Sequence, residues 1–255
     1  MSRITMGRAL RLKRLRAEVR GIAAAGKDPA AVLPFGLDAI DARLASGGLA
    51  DAGVHEAAAA TQSYSDDAAA TLFLAGIAGR RAGRRGTVLW VVARRDLFAP
   101  GLAQAGLAPG QLLVAEAERD ADVLAVMEEG LRHGALAAVV GEVGRAGLTE
   151  TRRLQLAAEE GGTMALLLHR WRKGDPLAEP SSALTRWRIG SAPSASLPVP
   201  GVGRSRWQVE LARQRGGPGF SLLLEACDAQ GRLALPALPS HRPDQADRTG
   251  ERRAA

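Results

Sequence analysis

The stretch that decides the fold is PFGLDAIDARLASGGLADAGVHE, residues 34–56, which runs directly into AAAATQSYSDDAAAT, residues 57–71. The first stretch predicts a short helix over 37–45, a Gly-Gly turn and a short strand over 54–58. The second stands where a phosphate-binding loop would follow such a strand, yet it contains no glycine and no lysine. Such a loop needs glycines, so that backbone N–H groups can surround phosphates, and a lysine for the terminal ones. The stretch therefore lacks the residues of a phosphate-binding loop.

Two acids at the start of the next predicted helix, residues 66–80, also argue against a phosphate-binding site. Asp66 and Asp67 follow Ser65, which we predict to be the N-cap. Negative charge in the first turn stabilises a helix through its dipole and repels an anion that would otherwise bind there. We interpret Asp66 and Asp67 as helix-stabilising residues of a degenerate nucleotide site.

The composition fits one globular domain with a sizeable core. The chain has 255 residues, 46% of them hydrophobic, and a net charge of +7. That charge suits a polyanion, but it is spread as arginine through a chain rich in Ala and Gly, so local clusters are the better guide. No apolar run is long enough for a membrane span, and the basic N-terminus lacks the apolar core of a secretory signal. The single Cys227 excludes an internal disulfide and multi-thiolate zinc sites, so we expect a cytoplasmic protein. Because the phosphate-loop residues are missing and the four histidines are scattered, we expect no cofactor and no metal.

Strands and helices alternate through the middle of the chain. We predict strands over 87–92, 111–115, 136–140 and 162–169, and helices over 100–105, 119–133 and 149–159, with Thr149 as an N-cap and a turn over 79–86. Repeated units of this kind imply an α/β fold with a mostly parallel sheet flanked by helices.

The pattern changes after residue 180. Strands are predicted over 183–190, 205–213 and 219–226, and the first two alternate apolar and polar residues, as antiparallel strands do. We expect three parts in the chain: a basic N-terminal helix within 1–30, a core over 31–237 and a disordered tail over 238–255.

The order of elements over residues 33–226 resembles the core of RecA-like ATPases. In that family the strand after the phosphate-binding helix is followed by a catalytic Glu, where this chain has Arg94 or Arg95. The family's Walker B strand ends in an Asp that holds magnesium; here Gly141 takes that position and Glu142 lies one residue beyond. The resemblance thus implies a RecA fold, with a closing antiparallel hairpin, that has no ATPase activity. We expect Glu142 to make a structural hydrogen bond rather than to bind a metal.

Among RecA-like proteins, the chain resembles the ImuA family in LPFGLDAIDARLASGGL (33–49), VVGE (139–142) and RWQVELARQRGG (206–217). The resemblance implies a non-catalytic adaptor in SOS-induced, error-prone translesion DNA synthesis. Its implied partners are a Y-family polymerase homologue of the ImuB type, RecA and an error-prone C-family polymerase. Two alternatives stay open: a cell-division inhibitor that resembles SulA, and a working ATPase of the RecA or RadA class.

Two basic clusters are candidate binding surfaces for a partner or for DNA. The predicted N-terminal helix carries Arg11, Lys13, Arg14 and Arg16. The second cluster is Arg170, Trp171, Arg172 and Lys173, at the place of a DNA-binding loop in the resembled family, and Arg186 and Arg188 extend it on a neighbouring strand. Arginine suits phosphates and tryptophan can stack on a base. The alternative for the second cluster is a partner-protein surface or a solvated face, and the alternative for the N-terminal helix is packing on its own core.

Overall fold

The computed structural model describes residues 31–170, 173–194 and 201–237, apart from the side chain of Arg85. Its strands are β1 (Val32–Leu33), β2 (Leu49–Ala50), β3 (Gly53–Ala59), β4 (Val88–Val92), β5 (Leu112–Glu116), β6 (Ala138–Val143), β7 (Met164–His169), β8 (Thr185–Ala192), β9 (Arg206–Gln214) and β10 (Phe220–Glu225). Its α-helices are α1 (Asp38–Asp41), α2 (Tyr64–Arg85), α3 (Ala99–Gln104), α4 (Asp120–His133) and α5 (Leu148–Gly161). The basic helix predicted within 1–30 and the tail predicted over 238–255 lie outside the described residues.

Eight strands form one sheet in the order β10-β9-β8-β3-β7-β6-β4-β5. The six neighbouring strands β8, β3, β7, β6, β4 and β5 run parallel. Strand β9 pairs antiparallel with both β8 and β10. The predicted fold, a mostly parallel sheet flanked by helices and closed by an antiparallel hairpin, is confirmed. The sequence did not indicate the small antiparallel pair of β1 and β2, whose strands are only two residues long.

Each face of the sheet has its own apolar core. On the α2 face, Phe73 of the helix packs against Trp187 of β8, with ring centroids 5.5 Å apart, and Trp90 of β4 is fully buried nearby. On the other face, α4 and α5 cover the sheet through residues such as Met127 and Leu154. The central strands are continuously apolar because helices cover both of their faces.

Helix α2 is longer than predicted at both ends. It begins at Tyr64, with Ser63 and not Ser65 as the N-cap: the Ser63 hydroxyl accepts a hydrogen bond from the Asp66 N–H. It continues through Arg85, so the predicted turn over 79–86 is wrong. Gly79 does not break the helix but brings it against a neighbouring backbone, since a Cβ there would lie 2.1 Å from the Gly106 carbonyl oxygen. Gly86, with φ of 100°, ends the helix instead.

Other boundaries differ by a few residues. Strand β6 runs to Val143 rather than Val140, which places Gly141 and Glu142 inside it. Helix α5 begins after Gly147, whose N–H donates to the Glu150 carboxylate, so Thr149 is not the N-cap. None of the helices in the described ranges is long and apolar enough to cross a membrane.

Candidate functional site: the closed N-terminus of helix α2

The N-terminus of α2, where a phosphate would bind in a nucleotide-binding protein, is tied to the end of strand β8 by Asp66. The Asp66 side chain accepts hydrogen bonds from the N–H and the hydroxyl of Ser191, both at 2.7 Å, and from the Thr61 hydroxyl at 2.6 Å. Burial by itself raises the pKa of Asp66, but these hydrogen bonds outweigh it and hold the pKa below the ordinary carboxyl value. An ionised carboxylate thus lies at this helix end, with Asp66 only 5% exposed.

Arg170, the residue after β7, bridges α2 and β6. Its guanidinium is 2.8 Å from the Asp67 carboxylate and 2.7 Å from the Glu142 carboxylate, and it also donates to the Thr71 hydroxyl. Burial alone lowers the pKa of Arg170, but the charges of Glu142 and Asp67 raise it above the ordinary value. The guanidinium is therefore a permanent cation between two carboxylates.

Glu142 of β6 faces α2, whereas the neighbouring Gly141 does not. Its second carboxylate oxygen accepts a hydrogen bond from the Trp90 indole N–H at 2.8 Å. Gly141 faces the opposite side of the sheet, where a Cβ would lie 2.0 Å from the Met127 sulfur of α4. Gly141 and Glu142 therefore lie on opposite faces of the sheet, because side chains alternate along a strand, and the correspondence of Gly141 to the metal-binding acid stays a prediction. The expected structural hydrogen bond of Glu142 is present.

We call Asp67, Glu142 and Arg170 the Arg170 cluster. Its charged groups are paired with one another. The guanidinium occupies the space between the two carboxylates and satisfies their charges. Across the described part of the chain, no group of three or more His, Cys, Asp or Glu side chains could hold a metal ion. The arrangement therefore resembles a structural ion-pair network and offers no unpaired cation to a phosphate.

The second basic cluster of the sequence analysis is only partly a surface. Arg170 lies in the Arg170 cluster and does not project into solvent, because its side chain is largely buried between Asp67 and Glu142. Lys173 is exposed. Trp171 and Arg172 lie outside the described residues, and so do Arg11, Lys13, Arg14 and Arg16 of the predicted N-terminal helix.

Arg186 and Arg188 do not extend an exposed basic face, contrary to the expectation that they continue the second basic cluster. Arg186 is 5% exposed, lies 2.6 Å from the buried Glu56 carboxylate and donates to the carbonyl oxygens of Leu177 and Glu179. Arg188 is partly exposed and contacts the carboxylates of Glu210 and Asp175, each at 3.0 Å. Both arginines therefore neutralise acids of this chain.

Glu56 is the centre of this second buried network, and the sequence analysis missed its role. Burial alone raises the pKa of Glu56, but the facing His169 and Arg186 and a hydrogen bond from Ser181 lower it below the ordinary value. The position of Glu56 inside the largely apolar β3 was a sequence signal for a buried ion pair. Its partner could not be identified, because β3 and β8 are far apart in the chain and their register is a tertiary property.

His55 is buried and neutral, and both of its ring nitrogens make hydrogen bonds. The Trp187 indole N–H donates to the Thr185 hydroxyl, which donates in turn to His55 Nδ1 at 2.8 Å, while His55 Nε2 donates to the Ala50 carbonyl oxygen. Burial lowers the pKa of His55 to about 4. This histidine is a structural link between β2, β3 and β8.

The fold and the site define a RecA-like protein in which an ion-pair network closes the N-terminus of the helix that follows the first long strand. The chain is similar to the crystal structure of the RadB recombinase, with a TM-score of 0.54 and 17% identity over 80% of this chain and 99% of that one. A weaker likeness, with a TM-score of 0.39 and 23% identity, covers 46% of this chain and 96% of SulA from Pseudomonas aeruginosa. No family model matches the sequence.

Sequence relatives identify the particular family. The chain is 38% identical over 211 residues to the protein ImuA of Caulobacter vibrioides, in each of two strains, which covers 80% of this chain and 86% of the relative. The chain therefore belongs to the ImuA family, as the sequence resemblance implied.

Proposed function

We propose that this protein is a non-catalytic RecA-like adaptor that acts by binding partners in SOS-induced, error-prone translesion DNA synthesis in the cytoplasm. The proposed partners are a Y-family polymerase homologue of the ImuB type, RecA and an error-prone C-family polymerase. Membership of the ImuA family supports the pathway. The observation that supports the non-catalytic part is the Arg170 cluster, which joins the first turns of α2 to β6 by ion pairs.

A nucleotide could bind at α2 only by breaking that cluster. Its phosphates would have to draw Arg170 away from Asp67 and Glu142, leaving the partly buried Asp67 and the buried Glu142 beside a polyanion. Removing one partner of a buried ion pair costs about 3–5 kcal/mol. Asp66 adds a third negative charge at the same helix end, where it already accepts hydrogen bonds from Thr61 and Ser191. The electrostatics that attract phosphate to a helix N-terminus are thus reversed.

Isothermal titration of the full chain with ATP and Mg²⁺ tests this part of the proposal. The titration should be flat up to millimolar nucleotide, and no phosphate should be released, whereas a RecA-class ATPase measured in parallel should give both signals. Saturable micromolar binding that is lost on substituting residues within 61–67 would overturn the non-catalytic proposal.

We also propose that residues 171–173 contact DNA beside these partners, supported by the exposure of Lys173. Reversal of Arg172 and Lys173 to Glu, with Arg170 left intact, tests the contact without breaking the Arg170 cluster. Phosphate contacts give an affinity that falls steeply with salt, and the double reversal should abolish it. If the wild-type protein shows no DNA binding at low salt, residues 171–173 do not bind DNA.

A further inference from the structure

The surface of the protein exposes two large aromatic side chains in one cleft. The chain has one Tyr and four Phe. Tyr64 is 93% exposed and Phe98 is 69% exposed, whereas Phe35 and Phe73 are buried in the core. Both exposed rings line a cavity of about 450 Å³ between the first turns of α2 and the start of α3. Aromatic residues that cluster at a concave surface are typical of the residues that dominate protein–protein binding.

A second cavity, of about 480 Å³, adjoins the first. Ala68, Leu72 and Gly101 line both cavities, so they are the boundary between them. Gly101 has no side chain to separate the two cavities. A Cβ at this position would lie 3.2 Å from the Phe98 ring and 3.7 Å from the Leu72 side chain. The two cavities therefore form one groove along α2, which we call the α2–α3 groove. Each has the volume that a small ligand or a few side chains would fill.

The two ends of the α2–α3 groove differ in charge. At the Tyr64 end, Arg94 pairs with Asp96 and Arg170 pairs with Asp67, so these lining charges are already neutralised. At the other end, Arg206 lines the wall. Its Nε is buried without a hydrogen-bond partner among the residues that the structure describes, while the residue as a whole is partly exposed, so that a carboxylate can approach the outer part of the guanidinium. A carboxylate is the natural complement of that guanidinium.

We propose that the α2–α3 groove binds a short segment of a partner protein, with apolar anchors at the Tyr64–Phe98 end and a carboxylate at Arg206. The inference rests on the proposed function, which supplies the partner. A concave groove of this size fits a segment rather than a flat face. A nucleic acid fits less well, because a phosphate backbone needs several unpaired cations and this groove offers one such side chain among its described lining residues.

The test uses the full chain and a Tyr64→Ala, Phe98→Ala double variant. Because both side chains are exposed, circular dichroism and the melting temperature should stay at wild-type values. Binding to the purified ImuB-type polymerase homologue and to RecA is measured by biolayer interferometry. We expect at least tenfold weaker binding of the ImuB-type homologue, and unchanged binding of RecA. The Leu156→Ala variant is the matched control: it removes an exposed apolar side chain on α5, across the sheet, and should bind both partners as the wild type does.

Arg206→Gln tests the charged end of the groove. It should weaken the same partner several-fold and reduce the salt dependence of its affinity. If the wild-type chain binds neither partner, the proposed function fails and the groove inference falls with it. If the wild type binds but both groove variants bind equally tightly, the inference is wrong and the proposed function stands. If the double variant loses only the binding of a single-stranded oligonucleotide, the groove is a nucleic-acid site and the inference is overturned.

Discussion

At the scale of single residues, Arg170 is the side chain on which the closed site depends. Arg170→Ala would leave the carboxylates of Asp67 and Glu142 facing each other without a cation. Because uncompensated buried charge is costly, we expect the free energy of unfolding to fall by about 3–5 kcal/mol. Urea unfolding at neutral pH measures the change.

The matched control is Arg119→Ala, which removes the exposed ion pair with Asp122 and should leave the free energy of unfolding nearly unchanged, because solvent screens such a pair. Equal effects of the two substitutions would show that the Arg170 cluster contributes no more than a surface pair.

His55 gives the protein a defined sensitivity to acid. Its pKa is about 4 in the folded state against an ordinary 6.5, so the unfolded chain binds more protons between these values. Stability should therefore fall as the pH drops from 6.5 to 4, by about 3 kcal/mol in total. Urea unfolding as a function of pH should show this slope in the wild type and lose it in His55→Gln.

The exposed His133, at the end of α4, provides the comparison. His133→Gln should keep the wild-type slope. If both variants keep it, burial of His55 is not the cause of the acid sensitivity.

At the scale of the element, helix α2 contains two glycines with opposite surroundings. A Cβ at Gly79 would lie 2.1 Å from the Gly106 carbonyl oxygen, while a Cβ at Gly83 would have nothing within 4 Å. Gly79→Ala should therefore lower the free energy of unfolding by about 1–3 kcal/mol through overpacking. Gly83→Ala should raise it by roughly 0.5–1 kcal/mol through helix propensity.

Thermal unfolding of the two variants beside the wild type distinguishes the effects, since the substitution is the same and only its position differs. Equal shifts in the same direction would contradict the close contact of α2 with the Gly106 backbone.

At the scale of the whole molecule, the proposed adaptor role predicts that binding and folding are separable. We expect that deleting residues 1–28, with Arg11, Lys13, Arg14 and Arg16, leaves the described core folded, because every strand of the described sheet lies after residue 28. The same deletion should weaken binding to RecA or to the ImuB-type homologue.

Circular dichroism and quantitative pull-downs measure the two properties. A truncated protein that binds every partner and supports damage-induced mutagenesis at the wild-type level would contradict a binding role for this segment.

The sequence by itself determined the class of fold and the family. Continuous apolar runs such as Val88–Val92 predicted strands covered on both faces. The alternation of apolar and polar residues around Trp187 predicted an antiparallel hairpin. Local periodicity suffices for this, because it reports which face of an element is apolar. The missing glycines and lysine after Glu56 likewise predict a degenerate nucleotide site from the sequence alone.

Only the tertiary structure decided what the charged residues do. Arg170 and Arg186 read as exposed basic groups in the sequence, yet each meets a buried carboxylate, on Glu142 and on Glu56. Glu142 faces α2 and Gly141 faces Met127 of α4, and the partners of each residue depend on which helix covers that side of β6. Periodicity does not say what covers a polar face, since the covering residue comes from a distant part of the chain and is set by how the sheet assembles.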